Sequence, residues 1–78
     1  MIGKILKTLR LNKGLKQADL AARLNIAQTT LSGYETSYSS PRFDIIEAFA
    51  KCCDYEIVFR NKKDKSEITS ESISRMDI

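Results

Sequence analysis

The feature that most constrains this chain is the stretch "QADLAARLNIAQTTLSGYE", residues 17–35, in which two short helical patterns are separated by Asn25. Leu20, Ala21 and Leu24 share one face of the first pattern, and Ala27, Leu31 and Tyr34 share one face of the second. Asn25 stands between them, and Asn accepts the left-handed backbone conformation better than most other non-glycine residues. Helices of about two turns each, joined so closely, cannot lie parallel; a steep crossing is the natural solution. The other face of the second helix carries Gln28, Thr29, Ser32, Gly33 and Thr36, all small or neutral, where a solvated helix would ordinarily carry Lys and Glu.

Two more helices flank this pair. The first is expected over about residues 2–12, with Ile2, Ile5, Leu6 and Leu9 on its apolar stripe, Lys4, Lys7 and Arg10 off it, and Gly14 as a stop signal after Lys13. The fourth is expected over about residues 44–53, with Asp44 as N-cap and Phe43, Ile46, Phe49, Ala50 and Cys53 facing inward. The intervening "TSYSSPR", residues 36–42, reads as a loop. With 78 residues the chain holds at most one domain, near the lower size limit for a self-sufficient core. We place that domain at residues 1–54.

Residues 55–60, "YEIVFR", alternate in the manner of a strand and are rich in β-forming types. No partner strand is visible elsewhere in the sequence, so either this is not a strand or it pairs with another molecule. Residues 61–78, with four basic and four acidic side chains and few large apolar ones, are expected to form a flexible tail.

Composition removes several function classes. There is no histidine, and neither a Gly-rich phosphate loop nor metal-ligand spacing is present, while the carboxylates are scattered. No catalytic residue, metal site or cofactor is therefore expected. Adjacent Cys52 and Cys53 would point about 100° apart on a helix and read as small core hydrophobes, not as a disulfide. No apolar run approaches the ~18 residues of a membrane span, and no signal-peptide pattern opens the sequence, so a cytoplasmic protein is expected. The net charge of +3 is compatible with a polyanionic partner but does not single one out.

The neutral face has a physical rationale. A helix entering the DNA major groove must fit a channel ~12 Å wide, and carboxylates on its outer side would meet phosphate charge. Gln can bond adenine bidentately, and Thr can donate, accept, or offer its methyl group to thymine. Gln28, Thr29, Ser32 and Gly33 are thus candidate base contacts, the alternative being an ordinary surface helix rich in Ser and Thr.

About residues 2–55 resemble the phage-repressor and Cro-like helix-turn-helix domains, the XRE family. The resemblance rests on Gln17, "LAARLNI", Leu31 with the following "YE", "PRF" at residues 41–43, and "IIEAFAKCCDY". It implies an all-α, compact four-helix lambda-repressor-like DNA-binding domain, its helix-turn-helix built from helices two and three, followed by a short C-terminal β-strand and flexible tail. By the same resemblance, Gln17 contacts a DNA phosphate and braces the recognition helix, and Arg42 contacts phosphate with help from Ser37, Ser39 and Ser40. Lys13 and Lys16 add charge contacts, while Arg10 and Glu35 form a structural ion pair. The implied function is a sequence-specific transcriptional regulator, a repressor binding an inverted repeat in double-stranded DNA as a homodimer. Tyr55, Ile57, Val58 and Phe59 would pair antiparallel with a second copy. A second implied reading is an antitoxin whose tail folds on a toxin protein while its helices bind DNA. The chain departs from the family at Gly33, where relatives often carry a longer polar group, at Lys16 in place of a capping Ser or Thr, and at Cys53 in place of Leu.

Overall fold

The computed structural model describes residues 2–69 and begins with α1 (Ile2–Lys13), α2 (Gln17–Leu24), α3 (Gln28–Glu35) and α4 (Phe43–Cys52). Two strands follow, β1 (Phe59–Arg60) and β2 (Glu67–Ile68), paired antiparallel with Phe59 opposite Ile68. The four-helix all-α arrangement expected from the sequence is the one observed. Gly14 ends α1 in the left-handed region at φ 78°, and Asn25 ends α2 there at φ 57°. Both stops close in the same way. Leu15 N–H reaches Arg10 O and Ile26 N–H reaches Ala21 O, bonds that satisfy carbonyls the helix leaves open. Lys16 gives α2 no side-chain cap.

Every helix supplies a fully buried apolar side chain: Leu6 from α1, Leu20 from α2, Leu31 from α3 and Phe49 from α4, with Ala21 and Cys53 completing the cluster. Ile2, Leu9, Leu24, Tyr34 and Ile46 pack around it, half-buried. α3 packs against both α1 and α2, and α4 packs against the same two helices.

Several expectations need correcting. Ala27 is exposed, because it is the extended N-cap of α3 and not part of its first turn. Ile5 and Phe43 are also exposed, so the apolar stripes of α1 and α4 are narrower than periodicity suggested. Arg42, not Asp44, occupies the N-cap of α4; Asp44 is the second residue of the helix, where its Oδ1 accepts from Ile45 N–H.

The largest correction concerns the C-terminal strand. It spans Phe59–Arg60 only, and its partner lies within this chain, in the segment expected to be a tail. Asp54 turns left-handed at φ 66° after α4, and Asn12 donates its amide to the Tyr55 hydroxyl, so the chain leaving α4 is tied to α1 first. The hairpin is then closed by turn chemistry. Asn61 Oδ1 accepts from Lys63 and Asp64 N–H, Asp64 Oδ1 accepts from Ser66 N–H and Oγ, and Lys65 adopts φ 67°. Arg60 and Glu67, directly opposite each other, form an ion pair at 2.9 Å. Residues 70–78, the remainder of the expected tail and of the expected toxin-binding segment, lie outside the described residues. Among the described residues, no helix is long and apolar enough to cross a membrane.

Candidate nucleic-acid interface

The rear of α3 is anchored by one carboxylate. Glu35, in its last turn, is buried, and the Arg10 guanidinium grips it from α1 through Nε to Oε2 at 2.6 Å and Nη2 to Oε1 at 2.9 Å. Gln17, at the start of α2, donates its amide to the same Oε1 at 3.1 Å. Arg10 Nη1 donates to Leu15 O, so the fork has no idle arm. Arg10 is held above its ordinary pKa, first by the hydrogen bond to Glu35, against the opposing effect of burial. Three helices thus converge on one buried charge pair, and no buried side-chain polar atom among the described residues lacks a partner.

Close approach between α1 and α3 depends on Gly3. A methyl group there would stand 2.7 Å from the carbonyl oxygens of Tyr34 and Glu35 and from Ser37 Oγ. Only the absence of a side chain lets the start of α1 rest on the end of α3.

The opposite face of α3 is quiet. Gln28 and Thr29 are exposed and Ser32 is half-buried. Among the described residues no hydrogen bond engages the Gln28 amide or the Thr29 and Ser32 hydroxyls. Thr36, by contrast, turns its hydroxyl back to Ser32 O at 3.0 Å. Gly33 is half-buried under the following loop: its carbonyl accepts Tyr38 N–H at 2.9 Å and Ser39 N–H at 3.2 Å.

The expected phosphate contacts do not form one cluster. Lys13 pairs with Asp54, just beyond the end of α4, whereas Arg42 stands at the N-cap position of that helix without a side-chain capping bond. The length of that ten-residue helix separates the two sites by about 15 Å. Arg42 is largely solvated and reaches Asp44 at 3.3 Å. Lys16 is exposed at the entry to α2, beside the half-buried Gln17. Ser37 sits at φ 64° with its Oγ over Gly3, and Ser39 lies over Gly33; both remain exposed.

Of the residues expected at a dimer contact, Tyr55, Val58 and Phe59 are exposed and Ile57 is half-buried. Phe59 stacks on Phe43 with ring centroids 6.5 Å apart, and Ile68 shares its cross-strand position. Sequence reasoning overlooked Tyr38, which is 90% exposed. The available signal was an aromatic alone among serines and a threonine in "TSYSSPR". Among the described residues, no cluster of His, Cys, Asp or Glu could hold a metal ion.

The sequence model of one protein family, described as helix-turn-helix, matches residues 6–59. No curated protein and no solved structure was found to match the chain.

Proposed function

The chain belongs to the helix-turn-helix family of XRE-like, DNA-binding transcription regulators, and from that premise we propose that it is a repressor reading an inverted-repeat operator through α3 as a homodimer. The observation that carries this reading is the unengaged amide and hydroxyl chemistry of Gln28, Thr29 and Ser32 on a face without charge, behind which Glu35 is locked to α1 and α2. A reading helix needs free polar groups in front and a rigid mount behind; α3 has both.

In this reading Gln28, Thr29 and Ser32 meet base edges, while Arg42, Lys16 and the N-terminal end of α2 beside Gln17 meet phosphates. One short recognition helix covers only about one half-site, which favours a two-fold dimer with half-sites about 34–36 Å apart. The exposed apolar group of Phe43, Phe59 and Ile68, with Val58 adjacent, supports a contact between copies made by the hairpin face. Occupying the operator would block polymerase.

Selection of bound duplexes from a random pool tests binding, symmetry and base preference together. Gln28→Ala should lose discrimination among sites, whereas Arg42→Ala should weaken all duplexes alike and lower the salt slope by about one. If both variants keep wild-type affinity and preference, the assigned face is wrong. Phe59→Ala should shift sedimentation toward monomer; an unchanged dimer would move the contact elsewhere.

A further inference from the structure

We propose that Tyr38 is a DNA-backbone contact, and that Gly33 is the seat that delivers it, not a position that reads bases. The inference rests on the reading of α3 as the groove-entering helix and assigns a task to the loop that follows it.

The chain has to reverse between α3 and α4, and it does so across the last turn of α3. Thr36 bonds back to Ser32 O, Ser37 enters the left-handed region, and the next two N–H groups both land on Gly33 O. The loop therefore lies on the helix. A methyl group at Gly33 would be 3.2 Å from Ser39 Oγ and 3.7 Å from Tyr38 Cδ2, tighter than an ordinary contact on the serine side. Gly33 lies beneath this loop, so its bare surface is not presented to a base edge.

The same geometry fixes Tyr38 beside the outer face of α3, over Gly33 and one turn from Thr29. Its ring is 90% exposed, more than any other large hydrophobic side chain among the described residues. No hydrogen bond engages its hydroxyl among them. The fold gains almost no burial from this ring, yet two backbone hydrogen bonds and a glycine define where its loop sits. A phenol in that position suits the sugar–phosphate strand beside a groove-bound helix: the ring can lie on deoxyribose and the hydroxyl can donate to a phosphate oxygen. A hydroxyl donor, unlike a Lys or Arg side chain, adds affinity without releasing a counterion.

The test is fluorescence anisotropy on two labelled duplexes, one selected from a random pool with the wild-type chain and one of scrambled sequence. Tyr38→Ala should weaken both by roughly tenfold and Tyr38→Phe by about threefold, the size of a lost hydrogen bond with or without lost packing. The slope of log affinity against log salt should stay at its wild-type value, unlike that of Arg42→Ala. Gly33→Ala should weaken binding about threefold on the wild-type background and have no further effect on Tyr38→Ala, since neighbours acting as one unit are not additive. Thermal unfolding should be unchanged in Tyr38→Ala, so a loss of binding cannot be read as a loss of fold. Binding within twofold of wild type, a loss confined to the selected duplex, or a reduced salt slope would each overturn the proposal. Gln28→Ala separates the two failures. If it loses selectivity while Tyr38→Ala binds normally, only the loop assignment falls; if neither variant changes binding, the reading of α3 falls as well.

Discussion

Removing the carboxylate of Glu35 is the sharpest test of how α3 is mounted. In Glu35→Ala the guanidinium of Arg10, a residue only 7% exposed, keeps its charge and loses two of its three acceptor contacts, and the Gln17 amide loses its acceptor as well. Breaking a buried pair from one side costs about 3–5 kcal/mol, because the remaining charge stays desolvated. A chain of this size has roughly 4–12 kcal/mol of total stability, so the loss is a large share of it. At roughly 4–8 °C per kcal/mol, the thermal midpoint should fall by at least about 12 °C, read by circular dichroism at 222 nm. Arg10→Met combined with Glu35→Leu should recover most of the loss, since apolar groups of similar volume remove both charges at once. Lys13→Met gives the contrast. Its pair with Asp54 is solvent-exposed and should be worth no more than about 1 kcal/mol. If Glu35→Ala also costs less than about 1 kcal/mol, or the double variant is as unstable as the sum of the singles, the buried-pair reasoning is wrong.

Gly3→Ala should destabilise by about 1–3 kcal/mol in urea unfolding, because its methyl would meet two backbone carbonyls at 2.7 Å that cannot rotate away; an unchanged midpoint would show that α1 can shift freely. Asp64 is held below the usual carboxylate range, first by Ser66 N–H and then by the Ser66 hydroxyl. With the folded value depressed, its support of the turn is present above the unfolded pKa of about 3.9 and is lost as pH falls through the lower, folded value. The Ser66 amide shift should follow that titration by NMR, and a midpoint at or above the ordinary value would contradict it. Burial pushes the Cys53 thiol up, with the neighbouring Cys52 adding to the shift. Alkylation of Cys53 by N-ethylmaleimide should therefore lag behind that of half-buried Cys52 and keep pace with global unfolding; equal rates would refute this.

The helices were legible because each carries an apolar period, and α1 and α2 also carry a stop residue, Gly14 and Asn25. The expected bounds of α2 agree with the observed Gln17–Leu24, and Asn25 turns left-handed where its amide chemistry allows. The limits of that reading are equally physical. Periodicity assigns Phe43 to the core stripe, yet at the first position of α4 its ring stays exposed and stacks on Phe59 instead. Two-residue strands are too short for alternation to reveal, and the residues closing the hairpin, Asn61, Asp64 and Ser66, sit in a charged run that looks solvated. Arg10 and Glu35 lie 25 positions apart, so no local spacing joins them; that link came from family resemblance alone. The covering of Gly33 needed the path of the loop, which local propensity does not supply.

The neutral front and the charged rear of α3 are two sides of one constraint. Glu35 is the only charged residue in the helix, and it sits at the C-terminal end, where the helix dipole disfavours an anion. α3 also lacks a side-chain cap at its start and contains Thr, Ser and Gly within eight residues, so by itself it would not hold a helical form. Its shape is imposed from behind: Arg10 and Gln17 offset the misplaced carboxylate, and Gly3 lets α1 press against the last turn. A face without charge leaves few local interactions to stabilise its own helix, so that support has to come from neighbours. Changes in α1 far from nucleic acid should consequently lower affinity in step with stability, whereas changes at Gln28 or Thr29 should alter preference and leave unfolding untouched.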